Sequence, residues 1–305
     1  MKHDMKITLY LVMLFITAQI VGLFLLSQTI SEIKTTETGE IVVNYSEPLT
    51  GRPDLEENES FSYIVVMILI GTALLLLLIK FKLFKVWKAW FFLAIWGSLS
   101  IALSVLMKDE IAIILSLVLT YFKIYKPNAI IHNLTEIFVY AGLAILLSPL
   151  FTVFWAIMLL VAISIYDAIA VWKSKHMITL AKAQSANKMF AGLLIPYKKE
   201  KKENKTKIEL KLPRHIEVKE EQVSSAILGG GDIAFPLMFA GSVMTYLIES
   251  GLSQSMAFFK SLIIPLFSGL VLYLLFVKSQ KGKFYPAMPF ISLGCFIGYG
   301  IILLL

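Results

Sequence analysis

Gly229-Gly230-Gly231-Asp232-Ile233-Ala234-Phe235-Pro236 sets three glycines, a carboxylate and a proline at the head of an apolar run that continues to Ile248. A carboxylate in a bilayer-spanning helix costs at least about 2.5–3.5 kcal/mol by insertion scales, so Asp232 needs a reason to be there. Each glycine weakens a helix by about 1 kcal/mol relative to alanine while letting another backbone approach closely. Pro236 lacks the N–H that would have bonded the carbonyl of Asp232. The expectation is a helix loosened on both sides of one acid. Irregular backbone at membrane depth is tolerated only where it lines a watery cavity or packs in protein, so the stretch predicts a hydrated site inside the bilayer.

The rest of the chain supplies the bilayer setting. Of its 305 residues 58% are hydrophobic and only 16% charged, outside the range of a soluble domain. A hydrocarbon core about 30 Å thick needs roughly 20 apolar residues per helix. Such runs predict an all-α polytopic membrane protein with nine transmembrane helices, near 7–27, 62–80, 86–106, 111–124, 129–147, 151–172, 224–248, 255–277 and 285–305. The first is too long for a signal-peptide core and is read as a retained span.

The formal charge of +7 comes with no nucleic-acid motif, and its basic residues flank apolar spans, so no nucleic-acid partner is expected. Instead the charge orients the helices. With a cytoplasmic N-terminus, the inside segments hold Lys2, Lys6, Lys80, Lys82, Lys85, Lys88, Lys123, Lys126, a long basic loop, Lys278, Lys281 and Lys283. The outside segments hold only Lys34, Arg52 and Lys108, with Lys260 able to snorkel outward. The positive-inside bias therefore predicts an N-terminus inside and a C-terminus outside, in a multi-pass protein of the cell membrane. The single cysteine, Cys295, allows neither an internal disulfide nor a cysteine metal cluster.

Two polar segments interrupt the spans. The acidic outside stretch 31–60 reads as a surface loop with a short strand at Ile41, Val42, Val43 and Tyr45. The inside stretch 173–222 mixes Lys and Glu, has the composition of a mobile linker, and carries an apolar patch from Met189 to Pro196. It divides the chain into a six-helix part, 1–172, the loop 173–222, and a three-helix part, 223–305.

A second acid, Asp167, follows Tyr166 near the end of span six, about six residues or roughly 9 Å of helix before Lys173. Spans six and seven run in opposite directions, so Asp167 and Asp232 fall in the same half of the membrane and can face each other. A third polar group, His132 with Asn133 and Glu136, is too small a ligand set for a metal site and suits interhelical hydrogen bonds or a cavity wall.

Tyr166-Asp167, Gly229-Gly230-Gly231-Asp232 and Pro286-Ala287-Met288, in that order on spans six, seven and nine, resemble the YD, GxGD and PAL motifs of the presenilin and signal peptide peptidase family of intramembrane aspartyl proteases. Met288 departs from the family's leucine but has similar volume and apolarity. The N-terminus-inside orientation is similar to presenilin, and the resemblance is to a microbial, archaeal type. It implies an intramembrane aspartic endopeptidase in which Asp167 and Asp232 are catalytic. Tyr166, Gly229, Gly230, Gly231, Pro286, Ala287 and Met288 would shape the site or bind substrate. It further implies transmembrane protein substrates, a lipid environment, and no metal or cofactor. Two close carboxyls cannot easily both ionise, so one would hold a proton while the other takes one from water.

The competing reading is a proton- or cation-coupled transporter using Glu136, Asp167 and Asp232. Such transporters usually carry paired broken helices in two halves, whereas span seven is the one span here that combines breakers with a central acid. The proline motif of span nine argues against a prepilin peptidase type of GxGD protease.

Overall fold

An apolar run in lipid must satisfy its own backbone, and a helix does so within one segment. In a computed structural model, which describes residues 5–53, 55, 57–126, 128–174, 184, 189–198, 223–279 and 285–305, the apolar runs form helices. These are α1 (Met5–Gln28), α2 (Glu57–Lys80), α3 (Phe84–Ser104), α4 (Asp109–Tyr125), α5 (Ala129–Leu147) and α6 (Val153–Ala168), followed by α7 (Gly231–Glu249), α8 (Gln254–Ser261), α9 (Ile263–Lys278) and α10 (Met288–Leu304). Among the described residues seven helical stretches are long and apolar enough to cross a membrane, α8 and α9 counting as one of them. Helix α10 is shorter, and α4 carries Asp109, Glu110 and Lys123.

Two helix starts are fixed by capping side chains. Asn128 accepts from the Ile130 N–H to open α5, and Ser253 accepts from Met256 to open α8. Helix α7 lies at the centre, packed against α5, α1, α6 and α10. Two thirds of its apolar window is buried, against 6% for α2, whose outer surface is left to lipid. On α10, Gly294 and Gly298 let α9 come to backbone contact: a Cβ there would stand 2.6 and 2.9 Å from Ser268 and Ile264 Cα.

Among the described residues two hairpins interrupt the helices: the first holds the strand expected in the outer loop, and the second corrects the all-α expectation. In the first, β1 (Ile30–Thr35) pairs antiparallel with β2 (Ile41–Tyr45), which includes the strand expected at 41–45. The Tyr45 hydroxyl meets Thr245 of α7, and Arg52 donates to the Ile145 carbonyl at 3.3 Å while lying over the Tyr45 ring. Burial pushes the Tyr45 phenol up to about 12.

The second hairpin joins β3 (Gly192–Lys198) to β4 (Val223–Gly229), with Gly192 opposite Gly229 and Lys198 opposite Val223. Residues 224–229 were expected to begin the seventh span as helix. They are strand because β3 supplies the ladder partners, and helix begins only at Gly231. The rest of the expected linker, apart from 173–174, 184 and 189–191, lies outside the described residues.

Candidate active site

Asp167 is the next-to-last residue of α6, and a π-helical turn, Ile169–Lys173, follows at once. Such turns recur at functional sites because they re-aim side chains. The carboxyl is buried, and its Oδ2 accepts the Met288 N–H at 3.2 Å, with a further backbone bond from Ala287. Both donors belong to the start of α10, where N–H groups have no partner within the helix and the dipole favours an anion. Pro289, in the first turn, fits the same geometry. One turn earlier, the Ser164 hydroxyl donates to Ser292 at 2.9 Å and fastens α6 to α10.

Asp232 sits in the first turn of α7. The Gly229 N–H donates to its carboxyl, which folds back until Oδ2 would lie 3.1 Å from a Cβ at Gly229. The three glycines therefore do not loosen a helix, as the sequence suggested. They make the turn from β4 into α7, with Gly230 in helical backbone (φ −65°, ψ −36°). A Cβ on Gly230 would stand 2.5 Å from the Tyr140 hydroxyl oxygen, so that position lacks a side chain because Tyr140 occupies the space. Asp232 is partly open to solvent although protein atoms crowd it. From α1, Gln19, fully buried, donates to the Ile233 carbonyl at 2.8 Å and steadies the turn ahead of Pro236.

The charge of Asp167 is felt at Asp232, so the two acids share one electrostatic environment at the meeting of α6, α7 and α10. Of the other expected site residues, the structure brings Gly229, Ala287 and Met288 to the carboxyls. Gly230 faces Tyr140, Gly231 begins α7 beside Phe235, and Pro286 is buried just ahead of the α10 donors. Tyr166 directs its hydroxyl to Thr72 of α2 at 3.0 Å.

The polar group on α5 has partners that sequence did not supply. Glu136 pairs with Lys123 of α4, which makes one interhelical contact of the kind expected. His132 and Asn133 instead hold a strand: the His132 ring meets the Gly192 carbonyl at 2.8 Å, and Asn133 bonds both the N–H and the carbonyl of Leu194. Lys123 is 3% exposed, so it is not the cytoplasmic surface cation counted from the sequence. A lysine inside an apolar span was itself the signal, since such a charge seeks a partner.

The sequence profile described as "Signal-peptide peptidase, presenilin aspartyl protease" matches residues 12–305. Two solved structures titled as a presenilin family intramembrane aspartate protease, one in a C222 and one in a P2 space group, share the fold. Each has a TM-score of 0.57 and 18% identity, and they cover 96% and 97% of this chain and 99% and 97% of their own. Comparison with curated protein sequences finds no match.

Proposed function

Because the chain belongs to the signal-peptide peptidase, presenilin aspartyl protease family and is an intramembrane aspartyl protease, we infer that Asp167 and Asp232 are the pair that performs the hydrolysis. The observation that carries this reading is their convergence: one acid from α6 held by the Ala287 and Met288 N–H groups, one from α7 held by the Gly229 N–H, with the charge of Asp167 felt at Asp232.

Chemically, one carboxyl of the pair holds a proton and the other is ionised. The ionised carboxyl takes a proton from a water molecule as that water's oxygen attacks the scissile carbonyl, and the protonated carboxyl gives its proton to the carbonyl oxygen. Collapse of the tetrahedral species then sends a proton to the departing amine and leaves two peptide ends. The substrates are transmembrane helices, whose carbonyls must lose their own hydrogen bonds before attack. Gly229, Gly230 and Gly231 shape the Asp232 turn, Ala287 and Met288 hold Asp167 behind Pro286, and Tyr166 ties α6 to α2.

The same reading takes α4 and α10 as spans eight and nine beside the seven longer ones, with the N-terminus inside and the C-terminus outside. The lysine distribution supports it, less the buried Lys123. The parts 1–172 and 223–305 then contribute one acid each across the loop 173–222.

Purified protein incubated with a single-span test peptide, followed by mass spectrometry, tests the assignment. Asp167→Asn and Asp232→Asn each remove a titrating partner within the same volume, and each should lower cleavage by about 10²–10⁴-fold or more. Wild-type activity should follow a bell-shaped pH curve whose two limbs belong to the coupled pair. Full proteolysis by folded Asp232→Asn protein would refute the pair and favour a role for these acids in ion transport.

A further inference from the structure

Glu136 lies on α5, 1% exposed, and receives three donors. They are the Lys123 ammonium from α4, the Tyr140 hydroxyl one turn along, and the Gly192 N–H at 3.0 Å. An ion pair this deep is costly to desolvate, and helix packing alone is served as well by apolar residues. What the pair provides is an acceptor fixed at one point with its counter-charge beside it.

Two of the three donors lead to Asp232. Gly192 opens β3 and pairs with Gly229, whose N–H holds the Asp232 carboxyl. The Tyr140 oxygen fills the space where a Cβ of Gly230, the next residue of the same turn, would stand. His132 and Asn133 extend the grip along β3 at Gly192 and Leu194, so the strand cannot slide against α5 without breaking several bonds. Gly192 has φ +141°, a backbone that suits glycine, and a Cβ there would run into the Leu228 carbonyl and the Phe190 ring.

We propose that Glu136, with Lys123 as its counter-ion, is a positioning residue for the reaction: through Gly192 and Tyr140 it fixes the Gly229–Asp232 turn and so sets where the Asp232 carboxyl stands relative to Asp167. Glu136 itself touches neither water nor peptide in this scheme. The docking of β3 on α5 becomes a condition for hydrolysis. The proposal rests on Asp232 being catalytic.

The test uses full-length protein in proteoliposomes and compares wild type with Glu136→Gln, Tyr140→Phe, the double variant Lys123→Met/Glu136→Leu, and Asp232→Asn. Ser100→Ala serves as the control, since it removes a buried hydroxyl contact with Ser116 on the far stretch of α4. Cleavage of a single-span peptide gives kcat and KM. Binding of a peptide with a hydroxyl-bearing tetrahedral carbon at the scissile position reports complementarity to the transition state.

Displacement of a reacting group by about 1 Å costs on the order of 100-fold, so Glu136→Gln and Tyr140→Phe should lower kcat roughly tenfold to hundredfold with KM changed less than about twofold. Affinity for the tetrahedral peptide should fall in step with kcat. Ser100→Ala should change neither, even if it lowers the melting temperature equally. Should Glu136→Gln fail to fold, the double variant decides, because it removes the buried ammonium together with the carboxylate and leaves Gly192 and Tyr140 without their acceptor; it should fold and still show the reduced kcat. Wild-type kcat and tetrahedral-peptide affinity in either folded Glu136 variant overturn the proposal, as does a loss that tracks melting temperature in Ser100→Ala as well. Asp232→Asn separates the two levels: if it cleaves, the catalytic pair is wrong; if it is inactive while the Glu136 variants are unimpaired, only the positioning role is wrong.

Discussion

Gly230→Ala adds one methyl group where the backbone itself raises no objection, since Gly230 already has helical φ and ψ. The new Cβ would lie 2.5 Å from the Tyr140 hydroxyl oxygen and 3.0 and 3.1 Å from two ring carbons. Tyr140 is 3% exposed and its hydroxyl is committed to Glu136, so it cannot yield without giving up that bond. Overpacking of this kind typically costs about 1–3 kcal/mol, and an acceptor left short inside the protein adds about 1–3 kcal/mol if Tyr140 swings away. If instead the turn yields, Asp232 moves by a fraction of an ångström to about 1 Å, and cleavage falls by as much as roughly 100-fold. Gly71→Ala on α2 is the matched comparison, because nothing stands within 4 Å of a Cβ there and the helix should gain by about 0.5–1 kcal/mol. Thermal melting in detergent and the initial rate of peptide cleavage would be measured together. A Gly230→Ala protein that melts no lower than Gly71→Ala and cleaves at the wild-type rate would show that Tyr140 does not define this turn.

Alkaline titration tests the outer hairpin: burial raises the Tyr45 phenol to about 12, so the stability tied to its neutral form is fully present below pH about 10 and lost as pH rises toward about 12. Tyr45→Phe should remove that loss from melting curves while lowering stability by about 0.5–1.5 kcal/mol at neutral pH through the missing bond to Thr245; an unchanged alkaline limb would count against it. Membrane orientation should appear in labelling with an impermeant thiol reagent, which should reach cysteines placed at Lys34 and Ser255 but not at Lys202 or Lys281, against a native Cys295 that is buried. Labelling of Lys202→Cys from outside would reverse the orientation. Long incubation of active protein should yield a six-span and a three-span fragment by cleavage near Met189–Pro196, since a tethered segment has a high effective concentration at the site; intact chain alone would limit the segment to its place in the β3–β4 ladder.

The acids were legible because charge inside an apolar run is conspicuous, and the spacing of Asp167 and Asp232 from the polar loop already set them at similar depth. What stood hidden was the company they keep. Ser224-Ser225-Ala226-Ile227-Leu228 is continuous with the apolar run after it, and a short apolar stretch gives no period by which to tell strand from helix. Its state is decided by a partner strand on the other side of a charged linker. The patch Leu193-Leu194-Ile195, bounded by Gly192 and Pro196, was the available signal, since short apolar runs between turn residues suit buried strands. Likewise Pro286, Ala287 and Met288 were expected to shape the site or bind substrate, and nothing in the sequence signalled that the backbone N–H groups of Ala287 and Met288 would be turned on Asp167. The division of the eighth span at Leu262, just ahead of Pro265, left too little polarity in the sequence to be seen.

The antiparallel ladder that ends with Lys198 opposite Val223 brings the two ends of the interval 199–222 to neighbouring positions. The entropy of joining two fixed chain ends grows only with the logarithm of the number of residues between them, so each doubling adds about 0.6 kcal/mol. The ladder, not the interval, holds the register that reaches Gly229. Sequence can therefore be inserted into or removed from this interval, including a segment read by another protein, with little thermodynamic consequence for the turn that carries Asp232.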